Sequence, residues 1–147
     1  MEHAAILKRM ELFRDLDSLE LIQVSKLVKH RKVKAGERVL SEGEPGHSLY
    51  IVKAGRFRAF TYHGGGELEL GRFEEADGFG ELALIDQGPR SATVEALSEG
   101  ELLEFDREAY ETLMAHSEAL QMKLLKNLVR DLAQKLRRTN DQLAKLL

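Results

Sequence analysis

The sequence predicts an α+β protein in which an antiparallel β-barrel lies between short N-terminal helices and a long C-terminal helix. In the central region, short apolar runs are broken by turn-forming residues about every 8–12 residues, which is typical of a small all-β sandwich or barrel. Both flanking regions instead repeat apolar residues at helical spacing. We therefore interpret residues 1–147 as a single domain, with N-terminal helices (1–31), a β-barrel (32–105) and C-terminal helices (106–147).

The composition narrows the classes of function. The chain has 147 residues, of which 43% are hydrophobic and 32% are charged, as in ordinary globular proteins. A formal net charge of -3 argues against a generally basic nucleic-acid binder. The absence of cysteine excludes a disulfide framework, a thiolate nucleophile and a zinc-thiolate site. The start of the sequence, MEHAAILKRMELFRD, has no long apolar core, so we expect a cytoplasmic protein without a signal peptide or membrane segment.

The N-terminal region is expected to be helical from about residue 2 to residue 30. Asp17 or Ser18 is expected to cap a second helix, because a short polar side chain accepts a hydrogen bond from the first helical turn. The apolar residues at helix-like spacing are Leu12, Phe13, Leu16, Leu19, Ile22, Val24, Leu27 and Val28.

Turn-forming segments such as KAGE, SEGEPGHS, YHGGGE and DQGPR separate the short runs of the central region. Within two of these runs, apolar side chains alternate with charged ones. A period of two predicts strands with one buried and one solvated face, as in an antiparallel sheet. The apolar members of the two runs are Phe57, Ala59, Leu68 and Leu70.

The C-terminal region, from Arg107 onward, contains neither glycine nor proline. Asp106 and Ser117 are each placed to cap a helix. Apolar positions in the second helix step by 4 and 3 residues in turn, which indicates a heptad seam. The seam predicts a homodimer through this helix, while the alternative is a helix that packs only on its own barrel. The seam positions are Leu125, Val129, Leu132, Leu136, Thr139, Leu143 and Leu146.

Residues 78–94, GFGELALIDQGPRSATV, contain the most informative pattern in the chain. Phe79 is expected to anchor a strand end in the core, and Gly80 permits a close approach to the backbone. Glu81 to Ile85 suits a single helical turn, whose first N–H groups have no intrahelical partners and therefore form an anion site. Gly88 and Pro89 then turn the chain into another strand.

The charged residues of this stretch suggest a ligand that carries both an anion and a hydroxyl group. Arg90 is placed to bind an anion bidentately, and the Ser91 hydroxyl adds a hydrogen bond. Glu81 would repel the same anion, so it is better suited to accept hydrogen bonds from hydroxyls such as a ribose edge. An anion and a hydroxyl a few ångströms apart suggest a compact sugar phosphate.

The segment FGELALIDQGPRSATV resembles the phosphate-binding cassette of the cyclic nucleotide-binding domain family, which includes the bacterial catabolite activator protein and the regulatory subunits of protein kinase A. The resemblance extends over the leading helices, the region SEGEPGHSLYIVKAGRFR and the closing helix. It implies a jelly-roll barrel, no enzymatic activity and no cofactor. The ligand it implies is cAMP in preference to cGMP, although Ser91 is compatible with both.

The resemblance also implies roles for individual residues. Arg90 and Ser91 hold the cyclic phosphate, and Glu81 holds the ribose 2′-hydroxyl. The remaining implied contacts are backbone groups of Gly80, Leu82 and Ala83.

The closing helix is expected to lie against the base. An alignment without gaps from Arg90 puts Lys135 and Leu136 where the catabolite activator has its base-contacting hydroxyls, whereas here Thr139 and Asn140 follow slightly later. Either Thr139 sets the register between helices, or it touches the purine together with Asn140 or Arg138. The cassette and residues 117–147 are the expected moving parts.

The sequence differs from the family pattern in two respects. Family members often have Gly-Asp where this chain has Ala76-Asp77, and the catabolite activator continues into a helix-turn-helix. We therefore expect no DNA-binding domain in this chain.

Other functions are less well supported by the sequence. A scaffold or dimerisation module that has lost ligand binding would pair Glu81 with Arg90 inside the barrel. A metal-dependent barrel enzyme has candidate ligands in His47 and His63, but no His-x-His pair occurs, and we expect no metal. A serine hydrolase lacks its Gly-x-Ser-x-Gly motif.

Overall fold

A computed structural model describes residues 3–86 and 88–147. The N-terminal region contains helix α1 (Ala4–Lys8), a 3₁₀ turn (Glu11–Phe13) and helix α2 (Ser18–Leu27). The Asp17 carboxylate accepts a hydrogen bond from the N–H of Glu20, and the Glu20 side chain accepts one from the N–H of Asp17. This reciprocal capping box confirms the cap predicted at Asp17.

The described residues form eight strands in two antiparallel sheets. The sheet orders are β1-β8-β3-β6 and β2-β7-β4-β5. The two sheets face each other as a sandwich and do not close into a barrel, but the predicted jelly-roll class is confirmed. The strands are β1 (Lys29–Val33), β2 (Arg38–Leu40), β3 (Ser48–Ala54), β4 (Phe57–His63), β5 (Gly66–Phe73), β6 (Gly78–Phe79), β7 (Thr93–Ala96) and β8 (Gly100–Asp106).

Strand β1 begins at Lys29, earlier than the predicted start of the barrel at residue 32. Its sequence, KHRKV, has no apolar alternation, and only Val33 is buried. Pairing with β8, from Lys29 opposite Glu104 to Val33 opposite Gly100, makes this segment a strand. A long-range partner therefore determines a structure that the local pattern does not indicate.

Strand β3 is buried on both faces. Leu49 and Ile51 pack in a core shared with the helices, whereas Tyr50 and Val52 pack in the core between the two sheets. The first sheet is therefore the middle layer of the molecule, between the helices on one side and the second sheet on the other.

The alternation predicted for β4 is confirmed, and the one predicted for β5 is wrong. Phe57 and Ala59 are buried, but Leu68 and Leu70 are exposed and lie outside both hydrophobic cores. The reason is that β5 is the edge strand of the second sheet. In addition, the register shifts between Ala59 and Phe60 of β4, which leaves Leu70 as a bulge residue without a pairing partner.

Helices α3 (Arg107–Met114) and α4 (Glu118–Leu146) follow the last strand. Asp106 and Ser117 each accept a hydrogen bond from the backbone N–H three residues later, which confirms both predicted caps. Among the described residues, no helix combines the length and the apolar composition needed to cross a membrane.

The first half of α4 is docked on the N-terminal region. The buried amide of Asn127 donates hydrogen bonds to the carbonyls of Leu12 and Arg14. The ammonium of Lys123 lies 2.8 Å from a carboxylate oxygen of Glu20. The side chains that complete this face of α4 in the core are Leu120, Leu124 and Leu128.

Another face of α4 carries an exposed apolar stripe, which we call the α4 stripe: Met122, Leu125, Val129, Leu136, Leu143 and Leu146. Of the predicted seam, Leu132 is different, because it packs against the chain's own core. The Thr139 hydroxyl donates a hydrogen bond to the Lys135 carbonyl. The α4 stripe has the heptad spacing of a helix–helix interface, and the homodimer through it stays a prediction.

Ala76 occupies a backbone conformation that favours glycine, with φ at 74°. Two hydrogen bonds hold it there, from the N–H of Ala76 to the carbonyl of Val52 and from the N–H of Val52 to the carbonyl of Asp77. We expect Ala76→Gly to raise the free energy of unfolding by about 1 kcal/mol, because the left-handed conformation costs alanine about 1–2 kcal/mol, partly offset by the greater freedom of unfolded glycine. Denaturant unfolding measures the change.

A matched control for this substitution is Ala133→Gly in α4. Glycine in the interior of a helix is expected to lower stability by about 1 kcal/mol. A lower stability of Ala76→Gly, like that of the control, would contradict the strain argument.

Candidate functional site

The segment between β6 and β7 forms part of the wall of a cavity. Phe79 is buried and stacks on Tyr50, with ring centroids 5.5 Å apart. Gly80 follows with φ at 82°, and a 3₁₀ helix runs from Glu81 to Leu84. A Cβ on Gly80 would lie 2.8 Å from Nη1 of Arg90 and 3.0 Å from the carbonyl oxygen of Ser48, and the positive φ also disfavours a side chain, so a larger residue would be strained here. The anchor at Phe79 and the short helical turn are both as predicted.

Arg90 extends inward from the far end of the same segment. Its guanidinium is half-buried, with Nη1 donating to the carbonyl of Gly80 at 3.2 Å and Nη2 donating to the carbonyl of Ser48 at 3.0 Å. A Cβ on Gly46 would overlap the guanidinium, which shows how closely the loop approaches it. Burial lowers the pKa of Arg90, but an arginine remains a cation at neutral pH. Its hydrogen-bond partners are carbonyl dipoles, which leaves the positive charge available to an anion.

Glu81 lies at the N-terminus of the 3₁₀ helix and is only 8% exposed. Its Oε1 accepts a hydrogen bond of 2.7 Å from Nζ of Lys135, which reaches across from α4. The same ammonium lies 3.4 Å from Oδ2 of Asp131. Glu81 and Arg90 are therefore not hydrogen-bonded to each other in the structure, and each has a different partner.

A cavity of about 470 Å³ lies between the second sheet, the cassette segment and α4. The predicted ligand-binding residues Gly80, Glu81, Leu82, Ala83, Arg90 and Ser91 all line it. Of the two residues expected at the base, Thr139 lines the cavity and Asn140 is absent from its walls. The apolar part of the wall comes from Leu40, Ala59, Leu70, Phe73, Phe79, Ala92 and Val94.

Helix α4 contributes three further polar residues to the wall: Lys135, Arg138 and Gln142. They are spaced by three and four residues and therefore share one face of the helix. Arg138 was one of the residues predicted near the purine, whereas Gln142 and the contact between Lys135 and Glu81 were not predicted. The periodic spacing was a usable signal, but only once the face of α4 that meets the cavity was known.

A second cavity, of about 280 Å³, lies between the N-terminal segment, β6 and α4. Glu81, Lys135 and Arg138 line both cavities. The ion pair between Glu81 and Lys135 thus forms part of the wall between them.

No metal centre is evident in the described part of the chain. Among those residues, no group of three or more histidine, aspartate or glutamate side chains is arranged to hold a metal ion. His47 and His63, the candidate ligands of a barrel enzyme, are both exposed.

The fold and the cavity define a class of protein, a jelly-roll domain with a cavity of the size that small molecules occupy. The wall of this cavity presents both a guanidinium, from Arg90, and a carboxylate, from Glu81, which suits a ligand with an anion and a hydroxyl. Residues 30–117, more than half of the chain, match the family model described as "Cyclic nucleotide-binding domain". The chain belongs to the cyclic nucleotide-binding domain family.

Curated relatives and solved structures agree with this assignment. The chain is 32% identical over 143 residues to the CRP-like cAMP-activated global transcriptional regulator of Mycobacterium tuberculosis, covering 97% of this chain and 62% of the relative. It is 31% identical over 114 residues to the cAMP-dependent protein kinase regulatory subunit of Hypocrea atroviridis, covering 78% of this chain and 24% of the relative. The catabolite activator protein of Thermus thermophilus superimposes with a TM-score of 0.82 at 32% identity, covering 92% of this chain and 62% of that one. The chain thus spans less than two thirds of the length of these relatives.

Proposed function

We propose that this chain is a regulatory domain that binds a cyclic nucleotide, cAMP in preference to cGMP, and transmits occupancy of the cavity through α4. The observation that carries the proposal is the half-buried guanidinium of Arg90, held by two backbone carbonyls inside the cavity. A half-buried cation whose hydrogen-bond partners are backbone carbonyls is stabilised when an anion binds beside it.

The proposed ligand pose follows from the two charged side chains in the cavity wall, Arg90 and Glu81. The cyclic phosphate lies between Arg90, the Ser91 hydroxyl and the N–H groups at the start of the 3₁₀ helix. Glu81 uses one carboxylate oxygen for Lys135, and its other oxygen accepts the hydrogen bond from the ribose 2′-hydroxyl. Backbone groups of Gly80, Leu82 and Ala83 complete the pocket.

The base lies toward α4 in this pose. Thr139 is the better candidate of the predicted pair for a base contact, because it lines the cavity and Asn140 does not. The preference for cAMP is supported by the names of the two curated relatives, both of which refer to cAMP. A cytoplasmic location is part of the same proposal.

Signal transmission is proposed to use α4, because this single helix connects three features. Asn127 holds the first half of α4 on the N-terminal region. Lys135 lines the cavity and contacts Glu81. The exposed α4 stripe is the surface through which the homodimer is proposed to form. A nucleotide that binds one arrangement of α4 more tightly shifts the equilibrium toward it by the difference in affinity.

The test is isothermal titration of the purified chain with cAMP and cGMP, with 5′-AMP as the linear control. We expect saturable binding of cAMP, weaker binding of cGMP and little binding of 5′-AMP. Tighter binding of cGMP would overturn only the base preference. No binding of either cyclic nucleotide would overturn the proposed function and favour the scaffold alternative.

A further inference from the structure

Within the described residues, Lys135 makes the one ionic contact between α4 and the cassette segment, residues 78–94. Its Nζ donates to Oε1 of Glu81 at 2.7 Å and lies 3.4 Å from the carbonyl of Gly78. The pair is well shielded, with 31% of the Lys135 side chain and 10% of the Glu81 side chain exposed. Asp131, one turn earlier on α4, forms a second ion pair with the same ammonium.

This contact lowers the electrostatic cost of placing a carboxylate in the cavity wall. A buried carboxylate without a partner is costly, and the carboxylate of Glu81 lines the same cavity as the anion site at Arg90. A cyclic nucleotide carries a negative phosphate, so an uncompensated Glu81 would repel it. Lys135 removes this repulsion by neutralising the carboxylate.

Asp131 lines the second cavity and adds negative charge next to the ion pair between Lys135 and Glu81. Burial raises the pKa of Asp131, and the charge of Glu81 raises it further, while Lys135 lowers it. The ammonium of Lys135 therefore lies between two carboxylates. Removing the ammonium would leave both carboxylates without their shared cation.

Lys135 does not need to leave for a ligand to enter. The cavity holds about 470 Å³ with the ion pair formed, which is within the range of about 300–1,000 Å³ found for sites that bind small molecules. A carboxylate accepts several hydrogen bonds on its two oxygens. The ammonium on Oε1 therefore leaves Oε2 of Glu81 for a ligand hydroxyl.

We propose that Lys135 is a positioning residue that neutralises and orients Glu81 for the ribose 2′-hydroxyl, and that it thereby makes nucleotide affinity depend on the docking of α4. This inference rests on the proposed function. Because the ammonium comes from α4, undocking of the helix removes it from the cavity. By thermodynamic reciprocity, a bound nucleotide must then stabilise the docked helix by the same factor.

The experiment compares Lys135→Met with Lys123→Met by titration with cAMP and with 2′-deoxy-cAMP. Lys123 is a matched control, because it forms an ion pair of 2.8 Å with Glu20 from the same helix but outside both cavities. We expect Lys135→Met to weaken cAMP binding about tenfold or more, the scale of a lost hydrogen bond to a charged group, and to reduce the preference for the 2′-hydroxyl. Lys123→Met is expected to keep the affinity of the wild-type chain.

Two further measurements separate positioning from folding. Lys135→Arg is expected to restore most of the affinity and of the preference for the 2′-hydroxyl, because it keeps the cation. In hydrogen exchange without nucleotide, Lys135→Met is expected to lower protection near residues 131–138, while Lys123→Met lowers it nearer the start of α4.

Three results would overturn the inference without affecting the proposed function. They are unchanged affinity of Lys135→Met, increased affinity, and a loss shared equally by cAMP and 2′-deoxy-cAMP. An equal loss for both nucleotides would show that Lys135 acts only through its general charge and does not orient Glu81 for the 2′-hydroxyl. If the wild-type chain binds neither nucleotide, the proposed function itself is wrong and the inference fails with it.

Discussion

Arg90→Leu is expected to leave the fold intact and to weaken cAMP binding by about 2–5 kcal/mol, which is the usual cost in binding free energy of removing one partner of a buried charge pair. The cyclic phosphate would remain in the cavity without its cation, while leucine fills part of the space of the arginine stem. Isothermal titration measures the change in affinity. This is the largest effect we expect from a single substitution.

The control for this change is Arg137→Leu, which removes an exposed cation of α4 that does not line either cavity. It is expected to bind cAMP like the wild-type chain, and thermal unfolding of both variants checks the fold. Equal affinities of Arg90→Leu and Arg137→Leu would show that the phosphate does not bind at Arg90.

The double substitution Val129→Lys and Leu136→Lys is expected to convert a homodimer into a monomer. These side chains are 66% and 61% exposed, so the substitution leaves the chain's own core untouched while it places lysines within the α4 stripe. Charges at seam positions are costly to bury between helices. Leu132 is unsuitable for this test, because it packs against the core. Light scattering measures the change from the mass of two chains to the mass of one.

The matched control is Asp141→Lys with Ala144→Lys, which adds lysines to α4 outside the α4 stripe. This variant is expected to remain dimeric. A monomeric wild-type chain, or an unchanged mass of the Val129 and Leu136 variant, would contradict the predicted interface and leave the α4 stripe without this role.

Elements with local signals were predicted well. Asp17, Asp106 and Ser117 all cap helices as expected, because an N-cap depends on a side chain and an N–H three residues away. The short helical turn after Gly80 was also predicted, since the φ of that residue and the residues after it are local features. The positions that lie at a cavity wall depend on distant elements and were predicted less completely.

Two errors show which information was missing. The alternation in β5 suggested that Leu68 and Leu70 are buried, but burial depends on what packs over a strand, and β5 is at a sheet edge. The polar segment that begins at Lys29 showed no alternation, yet it pairs with β8 along its whole length. The sequence of a strand does not by itself specify which strand pairs with it or which side chains pack over it.

By itself, the sequence determined the sandwich class, the helix starts, and the order of glycine, carboxylate, arginine and hydroxyl along the candidate site. These depend on spacings of a few residues, which the covalent chain sets directly. Only the tertiary structure decided that Glu81 pairs with Lys135, a residue 54 positions away, and not with Arg90. The physical reason is that ion-pair partners are selected by how sheets and helices pack, and the docking of α4 brings its ammonium to a carboxylate that would otherwise be buried alone.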